Sequence, residues 1–422
     1  MIEEPEKSFS FDCLPDLPIL EATLQGKKKQ SNMKLFCDSS KANIVFTENL
    51  TPGMYPIVFS FKGKVRNDQF GIYRCSAPSS ASSKSKTSSS AVQPLIATHF
   101  EPNFSCLAFP CIVDYSVRSQ FTLKISIPST IKDIQVISNT NCENVTVDGQ
   151  FKHFEFAETP PIASYLVGFT IGVFSIESIV YTSMLTKRSL DSSYGEEEGP
   201  KSFKISIVMP ISHYDPNQIK NVTKQLLSAT NSSILAMETF FELPFPFEKL
   251  DIVCIPDLVF AGMENLNLCF LHLIPNSKDD PNTYLFSLQS DLLHEICHHW
   301  IGNYLGLSIR AKEGVVQFLE RHFAEKLFTK TNSKAPNKKK QATFSITKAN
   351  NSQAASLSEV LWKNFSSFFN EDFYINSLKQ YEQVASQCGM NKFRANLSRV
   401  VTECEGKLYL EDDEFISKLT SQ

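Results

Sequence analysis

The segment His294-Glu295-Ile296-Cys297-His298 constrains this chain more than any other. Two histidines four positions apart stand one turn above another on the same helix face, so both imidazoles can reach one ion at about 2.0–2.1 Å, the distance zinc asks of a nitrogen ligand. Glu295 projects beside such an ion rather than onto it, where a carboxylate can take a proton from an attacking water and return it to a leaving amine. The surrounding run DLLHEICHHWIGNYLG carries Leu292, Leu293, Ile296, Trp300 and Ile301 at helical spacing, which predicts a buried helix stopping near Gly306. With 8 histidines in 422 residues, this pattern arises by chance in roughly one such chain in a hundred, so two ordinary helix histidines are the competing reading. Cys297, inside the motif, is expected on the packed side of the helix, and His299 and His322 lack the spacing to join the pair.

About thirty residues upstream, the apolar stretch LDIVCIPDLVF reads as a strand and runs into Phe260-Ala261-Gly262-Met263-Glu264-Asn265. This order resembles the M1 family of zinc aminopeptidases, relatives of aminopeptidase N and leukotriene A4 hydrolase. That family carries a Gly-Ala-Met-Glu-Asn strand ahead of HExxH, and here the first two letters are exchanged, as AGMEN. Other segments match in the family's order: LTPGMYPIVFSFKGKVRNDQFGIYRCS, THFEPNFSCLAFPC and SYLVGFTIGVFSIES. Near the end, YINSLKQYEQVASQCGMNKFRANL aligns without gaps to YxKGAxVLxML…GxxxFRxGL, with Tyr374, Gly389, Phe393 and Arg394 in register.

The resemblance implies one zinc ion per chain, with His294 and His298 as ligands, a water acidified by the metal, Glu295 as general base and Tyr374 as hydrogen-bond donor to the oxyanion. It places Gly262, Met263, Glu264 and Asn265 against the substrate. Glu101 of THFEP and Glu264 fall where the family grips the substrate's free α-amine, which would restrict hydrolysis to the first peptide bond. Two alignments compete for the third ligand. The family's usual interval from His298 lands on Gln317; a four-residue shorter connection aligns KEGVVQFLE with NEGFAxxxE, makes Glu313 the ligand and matches Glu320. Glu313 is preferred, because an amide is a poor ligand and a loop between helices shortens cheaply. The missing residues belong to a connection that packs beside the metal, so the second helix is expected to sit imperfectly.

Up to about residue 205, short alternating stretches such as FTLKISI and HFEFAE predict strands; from about 212 the pattern turns to helices and one strand. The expected fold is α+β: an all-β sandwich or saddle over 1–208, then a thermolysin-like α/β metallopeptidase domain over 209–422, without the family's C-terminal helical domain. Two low-complexity loops interrupt it, a Ser-rich one at 76–91 and a basic one at 330–352. Lys and Arg number 41 against 45 Asp and Glu, a net charge of −4 that gives a nucleic-acid partner no electrostatic support. No apolar run reaches membrane-span length, the amino terminus MIEEPEKSFS is acidic, and 11 dispersed cysteines form no CxxC pair. These features predict a cytoplasmic enzyme with reduced thiols, acting on peptides with a free amino terminus. The alternative is a catalytically impaired pseudopeptidase of the same family that binds peptides or proteins.

Overall fold

A computed structural model describes residues 6–13, 17–24, 33–37, 41–76, 94–185, 201–274, 280–329, 369–404 and 409–421. The expected basic loop at 330–352 and all but the first residue of the Ser-rich one lie outside that set.

Alternating apolar and polar residues make the first half a series of antiparallel sheets. Strands β1 (Glu6–Asp12), β4 (Lys41–Leu50) and β3 (Met33–Cys37) form one, and β2 (Ile19–Leu24) pairs with β5 (Ile57–Phe61). A four-stranded sheet runs β6 (Gly71–Arg74), β7 (Ile96–His99), β12 (Phe169–Gly172) and β9 (Gln135–Ser138). A further three are β10 (Cys142–Val147), β11 (Phe151–Phe156) and β8 (Lys124–Pro128). In β8 the period of two is plain: Ile125 and Ile127 pack toward Phe154 and Phe156 of β11, while Lys124 and Ser126 are exposed.

The second half is built on a mixed sheet in the order β13 (Phe174–Thr182), β14 (Ser202–Pro210), β15 (Lys249–Ile255), β17 (Leu268–His272) and β16 (Gly262–Met263). The middle three are parallel, and β13 and β16 are antiparallel edges. Every residue of β15 is buried, because both sheet faces are covered. Leu250, Ile252 and Cys254 point to helices α1 (Pro216–Phe241), α2 (Pro281–Cys297) and α3 (Ile309–Phe328), whereas Val253 and Ile255 point to a cluster with Tyr73, Ala97, Phe100 and Tyr165 of the first half. Helices α4 (Glu371–Cys388), α5 (Met390–Glu403) and α6 (Asp412–Thr420) close over the helical face, and β18 (Gly306–Leu307) pairs with β19 (Tyr409–Leu410).

The expected boundary at 208 falls within a strand, and the expected end of α2 meets a correction. Residue 208 lies inside β14, so a division there cuts the mixed sheet; among the described residues every strand pairing falls wholly on one side of Val173. Helix α2 ends at Cys297, not near Gly306: the chain passes into turns at His299 and Trp300, and Gly302 beyond them has a φ of +110° that favours glycine. Among the described residues no helix is long and apolar enough to cross a membrane.

Candidate active site

Helix α2 begins with Asp280, whose carboxylate accepts from the backbone N–H of Thr283, and with Pro281 in its first turn. It delivers His294 and His298 to one face, as a spacing of four demands. Helix α3 begins at Ser308, whose hydroxyl accepts from Ala311 N and donates to Asp412 of α6 at 2.5 Å. Its first two turns carry Lys312 and Glu313 to the same place. The connection between the helices is short but ordered: Asn303 N donates to His298 O at 3.0 Å and Gly302 N to Leu305 O at 2.7 Å. The missing residues therefore do not keep α3 from the histidines.

Three donor atoms converge. The two histidine Nε2 atoms lie 3.1 Å apart, and each is 3.4 Å from a carboxylate oxygen of Glu313. Bonds of 2.0–2.1 Å in a tetrahedral shell put neighbouring ligand atoms roughly 3.3 Å apart, so the set fits zinc. The outer contacts fit as well. His294 Nδ1 donates to Glu320 at 3.2 Å, Ser290 donates to the other oxygen of Glu320 at 2.6 Å, and His298 Nδ1 donates to the Ile301 carbonyl at 3.2 Å. Both rings thus keep Nε2 for an ion. Burial pushes the His298 pKa down to about 4, which suits a neutral ligand. At His294 burial acts the same way, but Glu313 and Glu320 outweigh it and raise the pKa. Gln317 sits one turn beyond Glu313, and its side-chain nitrogen is buried without a partner.

Glu295 is buried against the edge strand β16. A Cβ at Gly262 would fall 2.5 Å from Glu295 Cγ and nearer still to its carboxylate, so the glycine of AGMEN makes the room that Glu295 occupies. Its Oε2 is buried and accepts no hydrogen bond. Burial pushes its pKa well above the carboxylate value; His294 opposes this, and Glu264 and Glu313 add to it. Tyr374, in the first turn of α4, is buried beside Phe260, Phe369 and Phe373, and its phenol feels the charges of Glu313, Glu101 and Lys312. Met263 turns its side chain into the core, and the Asn265 amide is buried against Gly168, so both can meet a ligand through backbone only. Cys297 Sγ faces Met237 at 3.2 Å, on the packed side of α2 as expected. His299 is buried against the rings of Phe245 and Phe247, and His322 lies against Phe318 and Phe323.

Glu101 follows β7 and Glu264 follows β16, and the two carboxylates meet around a group that sequence reading passed over. Lys312, with no solvent exposure, places its ammonium 2.6 Å from Glu101, 2.9 Å from Glu313 and in hydrogen-bond contact with Glu264. The Tyr165 ring centroid is 5.3 Å from the same nitrogen, and Tyr115 donates to Glu101 at 3.1 Å. Burial opposes the ammonium, but Glu101, Glu264 and Glu313 hold its pKa well above the usual lysine value. Burial and the charge of Glu264 push Glu101 up to about 8, while Lys312 pulls it down. For Glu264 and Glu313 burial also raises, yet Lys312 and His298 keep both below the ordinary range. The signal was legible: KEG stands where the family pattern reads NEG.

Comparison with known proteins identifies the family. The peptidase M1 N-terminal domain model matches residues 16–166 and the peptidase family M1 domain model matches 226–421. Similar proteins include Protein TMA108 of Saccharomyces cerevisiae, 27% identical over 74% of this chain and 32% of the relative. Aminopeptidase M1-D of Oryza sativa subsp. japonica is 27% identical over 61% of this chain and 26% of its own length. Endoplasmic reticulum aminopeptidase 2 of Homo sapiens is 26% identical over 72% and 30%. The chain thus spans about a third or less of these curated relatives. With two models in succession and HEICH, AGMEN and Glu313 gathered in one place, the chain belongs to peptidase family M1.

Proposed function

We propose that this protein is a zinc-dependent peptide hydrolase acting at the amino-terminal bond. The observation that carries the reading is the convergence of His294, His298 and Glu313 at 3.1–3.4 Å, with Glu320 and the Ile301 carbonyl fixing the rings. These three residues would hold one zinc ion, which when bound supplies a Lewis acid that polarises a carbonyl and acidifies water. Glu295 then holds and moves the proton: its unpartnered Oε2 takes it from the attacking water and gives it to the departing amine. Tyr374, kept neutral by burial, donates a hydrogen bond to the oxyanion. Glu101 and Glu264 form the seat for an ammonium.

Metal analysis of the purified protein tests the proposal, with hydrolysis of aminoacyl anilides measured alongside. About one zinc per chain is expected in wild type and in Glu295→Gln, with turnover lost in the latter; Glu313→Ala should lose the metal and Gln317→Ala should keep it. Wild type that binds no zinc after reconstitution, or turnover insensitive to a chelator, rejects the reading. A second reading, a family member that binds peptides without cleaving them, is favoured by one observation: the ammonium of Lys312 already sits between Glu101 and Glu264.

A further inference from the structure

We infer that Lys312 is a tethered stand-in for a substrate's amino terminus, so that this site draws no affinity from a peptide's free amine and binds peptides with a blocked or extended amino end at least as well. The inference rests on Glu101 and Glu264 being the amine anchor beside the metal triad.

Its ammonium has three N–H bonds and three carboxylate partners, Glu101, Glu264 and Glu313, so its donor capacity is used in full. The pocket is thereby shown to bind an ammonium, and it binds its own. A second ammonium arriving with a peptide would face two carboxylates already paired, and it would lie within a few ångströms of a like charge in a site closed to water. Repulsion at such range is weakly screened. A peptide beginning with an amide, by N-acylation or because further residues precede it, brings no such charge and leaves the ion cluster intact.

The lysine is also built in rather than swung in. It lies on the first turn of α3, next to Glu313, and its stem packs on Gly302, where a Cβ would come 3.2 Å from Lys312 Cδ. Tyr165 covers the head, and the residue has no exposed surface through which it could withdraw. The same place in the family pattern holds an uncharged asparagine, so the position, and not the carboxylates, sets this chain apart.

The test is equilibrium binding, by fluorescence anisotropy, of one carboxy-terminally labelled octapeptide in three forms: free amine, N-acetylated, and extended by four residues at its amino end. Zinc-reconstituted wild type, Lys312→Asn and Lys312→Arg are compared, with zinc content measured on each sample. Wild type and Lys312→Arg should bind the acetylated and extended forms at least as tightly as the free-amine form; zinc-loaded wild type that binds none of the three measurably overturns the inference. Lys312→Asn should prefer the free-amine form by about tenfold over the acetylated one. A tenfold preference for the free amine over the acetylated form in wild type overturns the inference and needs no variant to read. A zinc-loaded Lys312→Asn without preference also overturns it. Failure of the metal centre would appear separately, as missing zinc in wild type.

Discussion

Gly262 leaves the space that Glu295 fills, since a Cβ there would fall 2.5 Å from Glu295 Cγ. Gly262→Ala should therefore displace the proton carrier without touching the metal ligands. The expected result is a loss of about a hundredfold or more in kcat with zinc content unchanged, measured by turnover and metal analysis on one preparation. Glu320 makes a different prediction. It holds His294 Nδ1 at 3.2 Å and ties it to Ser290, so Glu320→Ala should weaken zinc by about ten- to a hundredfold in competition with a chelator. The proposed ligands His294 and His298, and Glu295 between them, stood out in the sequence because zinc chemistry restricts both residue type and spacing. Glu313 was preferred over Gln317 against the family's usual interval, because its Glu-Gly pair and Glu320 align with the pattern, and the fold brings it within 3.4 Å of both histidines. Lys312 was not read, although its letter differed from the family's, because a helix-borne lysine is ordinarily solvated. Its meaning depends on Glu101 and Glu264, which lie far away in sequence and come near only through the sheets.

Among the elements, α3 is the one on which the site turns, since it carries Lys312 and Glu313 near its start and Glu320 about two turns further on. Ser308 caps it and bonds Asp412 of α6, so Ser308→Ala should lower stability by about 1 kcal/mol in denaturant unfolding and loosen the metal with it. The helix also presses on α4: a Cβ at Gly314 would lie 2.6 Å from the Tyr381 ring and 2.7 Å from the Ser377 carbonyl. The main helices and strand β15 of the second half followed from periodicity, whereas β16, β17 and the short pair β18 and β19 were not read. The end of α2 was missed as well, because the apolar spacing runs on through Trp300 and Ile301 past Cys297. The assignment of β13 and β14 to the mixed sheet was equally hidden. A strand's alternation tells which face is buried, not which neighbour it pairs with.

For the molecule as a whole, a metal that binds only the folded chain must raise its thermal midpoint. Zinc at a hundredfold excess over its dissociation constant adds about 2.7 kcal/mol, so differential scanning should show a rise of several degrees in wild type and none in Glu313→Ala. The site also joins the two halves of the chain. Glu101 comes from the strand-rich half, Lys312 from the helical one, and Arg118 of the former donates to the Asn303 carbonyl while Asn303 donates to the Glu264 carbonyl at 2.8 Å. The lysine is thus a rivet through two layers, and pulling it leaves carboxylates stranded in the interior, a change that commonly costs about 3–5 kcal/mol. A descendant of this chain that regained an open anchor by losing its lysine would slacken the seam between its halves. Recovery of that specificity would have to travel with a second substitution that refastens them.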